Sequence, residues 1–174
     1  MNEQLGNILA QYQNEAKEIA NVDEPVRTLI LFRIGEQNFA LYGSQVKEIL
    51  ADRPVSWLPG CPPMLEGVIN NRGRVESVIR LNSLVESDEP EAAAKRVILI
   101  GRSDTMQSGI LIDKLIDVLD VVESQIQRAP DSLSDAMQKI VTGVVNIAES
   151  WYAILDLNLV FERFQEACGY DVSR

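Results

Sequence analysis

The residues able to do chemistry in this 174-residue chain are few, and their spacing argues against turnover. Asp113 and Asp117 stand four apart, so on a helix they would lie one turn from each other, as a general acid–base pair requires. The plainer account is preferred: Asp113 caps a helix and Asp117 is a solvated charge. Asp117 and Asp120 invite a metal, but nothing resembling an EF-hand loop surrounds them. Cys61 and Cys168 belong to no CxxC pair and read as small hydrophobes in a reducing compartment. Histidine is absent from the sequence, which removes Ser-His and Cys-His nucleophiles, HExxH zinc sites and a phosphohistidine relay. No GxGxxG, GxxxxGK[ST] or GxSxG occurs either. The expectation is therefore no catalytic residues, no metal and no cofactor, in a chain suited to binding.

Two kinds of side chain bear on recognition. Arg72 sits between turn formers in Asn70-Asn71-Arg72-Gly73, at the tip of a predicted hairpin, where an arginine does nothing for a core. It is either a solvated loop charge or a fork of donors offered to a partner. Trp57 and Trp151 fall in strand-like segments and are expected in the core or between lobes, with a partner contact as the alternative. The 26 acidic residues against 16 basic ones give a net charge of −10, which repels phosphate backbones and argues against nucleic acid. No apolar stretch approaches the length that spans a bilayer, and the N-terminus lacks the pattern of a signal peptide, so the expected location is cytoplasmic.

The elements that position these residues follow from an internal duplication. Ala40–Leu50 lies over Gly109–Leu119 without a gap, Gly67–Asn70 over Gly143–Asn146, and Val78–Asn82 over Ile154–Asn158. Two copies of one small unit stack because neither buries enough apolar surface alone. At the N-terminus Leu5, Ile8, Leu9, Tyr12, Ala16 and Ile19 make one apolar stripe of a helix, expected to lie on the protein's body or to meet a partner or a second copy. Residues 27–42 read as a hairpin, and Ser44 as the N-cap of a short helix through Leu50, with Asp113 in the equivalent place. Val55–Leu58 reads as a short strand, and 65–69 and 75–79 form a second hairpin around the Arg72 turn. The acidic run 86–94 is the expected linker. Strands at 97–100 and 109–112, a helix from Asp113, a hairpin of 141–147 with 151–155, and a closing helix bearing Leu157, Val160, Phe161, Phe164 and Cys168 complete the second copy. Many short strands with few helices predict a mainly β fold of small barrels.

These segments also match a family in order and spacing. Phe39–Leu50 (FALYGSQVKEIL), Leu58-Pro59-Gly60 with Pro62, Gly67–Asn70 with Arg72-Gly73, Arg96–Leu119, Gly143-Val144 and Ile154–Leu157 together resemble the CheW coupling family of bacterial chemosensory pathways and the related regulatory domain of the kinase CheA. The resemblance covers roughly residues 27–162. It implies two five-stranded SH3-like barrels related by a pseudo-two-fold, flanked by added N- and C-terminal helices. The implied division is an amphipathic helical extension over 1–24, a CheW-like domain over 25–162 with halves of about 25–88 and 95–162, and the C-terminal helix end and tail over 163–174. It implies a non-enzymatic adaptor joining a chemoreceptor's cytoplasmic tip to the regulatory domain of a CheA-type histidine kinase, cytoplasmic and recruited to membrane-associated arrays. By position, Val46, Glu48, Gly67 and Arg72 match family residues tied to partner binding, and Ile49 and Asn70 are added as their neighbours. The chain departs from the family at Asn71, Ser77 and Arg80, where Leu, Pro and Asp are usual. A polar residue at 71 weakens an apolar contact there by about 1–2 kcal/mol if the site is buried in a complex. The alternative is a divergent scaffold that regulates a kinase or another partner in a type IV pilus or non-motility pathway.

Overall fold

Side chains along β1 (Val26–Ile34) alternate between two cores, and that alternation sets the architecture. Leu29 and Leu31 enter one core, while Ile30, Phe32 and Ile34 enter another, so the dense apolar run serves both faces of its strand. The structure, a computed structural model, describes residues 24–88 and 95–169. The predicted N-terminal helix, most of the acidic linker and the last residues of the tail lie outside the described residues.

The remaining strands are β2 (Gln37–Tyr42), β3 (Val46–Ala51), β4 (Leu65–Asn71), β5 (Arg74–Arg80), β6 (Val97–Arg102), β7 (Gln107–Ile112), β8 (Lys114–Val122), β9 (Val141–Ile147) and β10 (Ser150–Leu155). Two α-helices are present among the described residues, α1 (Asp135–Gln138) and α2 (Leu157–Ala167), and neither is long and apolar enough to cross a membrane. The strands form two five-stranded sheets, ordered β8-β1-β2-β10-β9 and β3-β6-β7-β5-β4. Exchanging each strand for its duplicate turns one order into the other. Each sheet keeps a small core of its own, Leu29, Leu31, Val145, Tyr152 and Ile154 in one and Leu50, Ile69, Val78, Ile98 and Ile100 in the other. A larger core between them takes Phe32, Phe39, Leu99, Ile110 and the buried face of α2, namely Leu157, Val160, Phe161 and Phe164.

Several expectations are corrected. The halves 25–88 and 95–162 do not each make one sheet. β10 pairs with β2 in parallel, and β5 with β7, so every sheet contains strands from both copies. The helices expected from Ser44 and Asp113 are strands, preceded in the first copy only by a single 3₁₀ turn at Gly43–Gln45. Val46 with Ile49, and Leu115 with Val118, fit helical spacing, but a run this short does not separate the two periods. Pairing with β6 and β1 decides the matter, because these segments supply the edge strands of the two sheets. Asp113 caps nothing; its Oδ2 accepts from Gly35 N at 2.6 Å and fixes the β1–β2 turn. Val55–Leu58 makes one bridge, Ser56 with Val68, and no strand. Its duplicate is the bridge of Gln127 with Val144. Each bridge ties the chain leaving one edge strand to the opposite edge of the same sheet, so each sheet curls round but is joined there by two backbone hydrogen bonds. Finally, Trp57 and Trp151 are 70% and 53% exposed, not buried, because none of the described elements covers them.

Candidate functional site

The β4–β5 hairpin turns through Arg72 and Gly73, at φ 53° and 83°, between the paired residues Asn71 and Arg74. Two consecutive left-handed residues match the twist of the flanking strands. Asn70 locks this turn, its Oδ1 accepting from Gly73 N at 2.8 Å. The turn leaves Arg72 pointing off the sheet, with its side chain 80% exposed.

β3 lies at the far edge of the same sheet, and the curl brings it back to this hairpin. A bulge between Val46 and Glu48 aims Glu48 at the tip. Glu48 Oε1 accepts from the Arg72 guanidinium at 2.8 Å, and Oε2 accepts from Asn71 Nδ2 at 3.1 Å. With Glu48 27% exposed and Arg72 far more so, the ion pair adds under about 1 kcal/mol to stability. Beside it, Lys47 Nζ donates to Gln107 Oε1 at 3.1 Å and Gln107 Nε2 donates to Glu76 Oε1 at 2.7 Å. Glu48, Asn71, Arg72, Arg74 and Glu76 line a shallow cavity of about 190 Å³ here.

Of the six sequence candidates, Glu48, Arg72 and Asn70 come together at the tip. Ile49 is on the adjoining edge, 38% exposed and opposite Leu99. Val46 is half-buried against the central core. Gly67 is buried in β4, and its position has a backbone explanation. A Cβ there would stand 2.3 Å from Ser56 O at φ 151°, so the Ser56–Val68 bridge needs glycine. The residue missing from that set of six is Asn71, which supplies half of the Glu48 contacts. Its neighbour Val75 is also exposed at the tip, and the duplication places Trp151 at the same position of the second copy.

The acidic pairs do not assemble. Asp117 Oδ1 accepts from its neighbour Val118 N at 2.8 Å, and Asp120 accepts from Thr28 Oγ1 at 2.6 Å. Among the described residues no group of His, Cys, Asp and Glu could hold a metal ion. Arg80 is explained by an ion pair: Glu66 takes Arg80 with one oxygen and Arg96, at 2.9 Å, with the other.

Taken together, these features define a duplicated two-sheet β module whose distinctive chemistry is a charged hairpin tip held against an edge strand. Residues 28–165 match the model of the CheW-like domain. The chain belongs to the CheW-like family. It is 31% identical over 148 residues to a chemotaxis protein CheW of Rhizobium meliloti (strain 1021), covering 85% of this chain and 94% of that protein. A chemotaxis protein CheW of Bacillus subtilis (strain 168) is 30% identical over 136 residues, covering 78% and 86%. The crystal structure of the scaffolding protein TtCheW from Thermoanaerobacter tengcongensis superimposes with a TM-score of 0.70 at 22% identity, over 79% of this chain and 94% of that one, and so shares the fold.

Proposed function

We propose that this chain is a non-enzymatic coupling adaptor of a chemosensory pathway, which joins a chemoreceptor's cytoplasmic tip to the regulatory domain of a CheA-type histidine kinase. The observation that carries this reading is similarity to CheW proteins along almost the whole described chain, with the Glu48–Arg72 pair standing at one exposed tip. An arginine in a left-handed turn contributes little to folding, and its planar fork suits recognition of a partner's acceptors. Purified chain titrated calorimetrically with the cognate kinase regulatory domain and with a receptor-tip helical hairpin is expected to bind each with a Kd on the order of micromolar. No heat and no pull-down at about 100 μM would overturn the reading. Arg72→Ala is expected to abolish kinase control by receptors while leaving the melting temperature unchanged.

A second reading, a CheW-like scaffold that serves another partner or a non-motility pathway, is favoured by Asn71 and Arg80, which are both engaged in contacts within the chain. Fluorescent fusions separate the two. The adaptor concentrates in receptor arrays, whereas a scaffold that draws kinase away from receptors stays diffuse.

A further inference from the structure

Glu48 has two carboxylate oxygens, and the chain occupies both, one with Arg72 and the other with Asn71. The far end of the Asn71 amide, Oδ1, is shut off from solvent and has no hydrogen-bond partner. A buried acceptor without a donor opposes folding, so an apolar side chain of similar size would suit stability better at this position. Turning the amide over would set Oδ1 against the Glu48 carboxylate, oxygen facing oxygen. The contact to Glu48 therefore fixes the amide as observed, at the expense of its other end. Arg72 meanwhile is anchored at one nitrogen of its guanidinium and is otherwise open to solvent.

Resting on the adaptor reading, we infer that Asn71 is a positioning residue: it holds Glu48 so that Arg72 is presented with its free N–H fork outward, toward a partner helix bearing carboxylates. Arginine loses much rotamer freedom when it is fixed by a partner, and a side chain ordered beforehand loses less. The fork geometry of guanidinium against carboxylate selects the partner's chemistry. The Asn71 contact thus gives up some stability of the free protein in return for an ordered tip.

The test compares Asn71→Leu and Glu48→Gln, singly and combined, on the full chain. In the free protein, ¹⁵N relaxation of the Arg72 Nε–Hε group is expected to show an ordered side chain that becomes mobile in Asn71→Leu, with an equal or higher melting temperature. Calorimetry with an acidic receptor-tip helical hairpin is expected to show about three- to tenfold weaker binding for Asn71→Leu. That loss should disappear in the Glu48→Gln background, because the two residues act through one contact. Unchanged Arg72 relaxation, an equal loss in both backgrounds, or a fall of several degrees in melting temperature would each overturn the assignment. If the wild-type chain binds no receptor hairpin, the adaptor reading fails, and the relaxation arm still decides what Asn71 does.

Discussion

The β4–β5 and β9–β10 hairpins hold equivalent places in the two sheets, and they solve the same turn with different residues. The first turns through Arg72-Gly73 and the second through Ala148-Glu149, at φ 49° and 65°. The fold demands two left-handed residues at each tip and is indifferent to the rest of the side chain. In the first copy that freedom is used to place a guanidinium on Glu48. In the second, Asp117, the counterpart of Glu48, turns to its own strand's backbone. A duplicated fold can therefore keep its geometry twice and its recognition chemistry once.

The same contrast runs through the other equivalent positions. Gly67 and Gly143 each accommodate a bridge, but a Cβ at Gly143 would stand 2.9 Å from Gln127 O, a milder clash than the one at Gly67. Asp156 caps α2, accepting from Asn158 N at 2.8 Å and from Gln45 Nε2 at 3.0 Å. Its counterpart Arg80 is followed by a turn with no α-helix to cap, which leaves that position free to carry the opposite charge and pair with Glu66.

The largest test of this asymmetry is at the glycines. Gly67→Ala is expected to cost about 3–4 kcal/mol in urea unfolding and Gly143→Ala about 1–2 kcal/mol. Equal costs would mean that the two bridges are equally tight and would break the comparison. Next, Asp156→Ala is expected to cost about 1–2 kcal/mol, since a cap and a cross-chain hydrogen bond go together. Arg80→Ala should cost less than about 1 kcal/mol, because Arg96 still neutralises Glu66. Substitution toward the first copy's turn, Glu149→Gly, is expected to stabilise by about 0.5–1 kcal/mol by relieving a left-handed non-glycine residue. A destabilised Glu149→Gly would show that the glutamate side chain has a structural role.

The smallest effect concerns Cys168 at the end of α2, whose thiol burial pushes up from its ordinary value of 9.0. The folded chain then holds that proton more tightly than the unfolded one. Its contribution to stability is present below about pH 9 and is lost as pH rises further, so the urea midpoint of the wild type should fall slightly more toward pH 10 than that of Cys168→Ala. Parallel midpoints would remove the effect.

Strand content and the hairpins were legible because β1 with β2, β4 with β5 and β9 with β10 are local pairs whose turn residues are adjacent in the chain. The edge strands β3 and β8 carry a helix-like apolar spacing that is ambiguous over so few residues, and their strand character comes from partners elsewhere in the chain. Arg72 stands out from its turn and Glu48 from the family resemblance, and the contact between them follows only from the curl of the sheet. Asn71 looked like a departure weakening an apolar site; its amide instead meets Glu48. The tryptophans were misplaced because hydrophobicity predicts burial only where a facing partner exists, and at the hairpin tip and the proline loop none of the described elements covers them.

By itself the sequence determined that this is a duplicated, histidine-free, β-rich chain with a turn that must carry Arg72 outward. Turn chemistry, composition and short apolar runs act over a few residues, so they can be read locally. Tertiary structure alone decided that the copies exchange strands, that opposite edges of one sheet meet at a tip, and that one tip holds an ion pair while the other does not. Those outcomes depend on pairing between residues far apart in the chain, where the free energy is set by which surfaces are buried together and no single segment contains the answer.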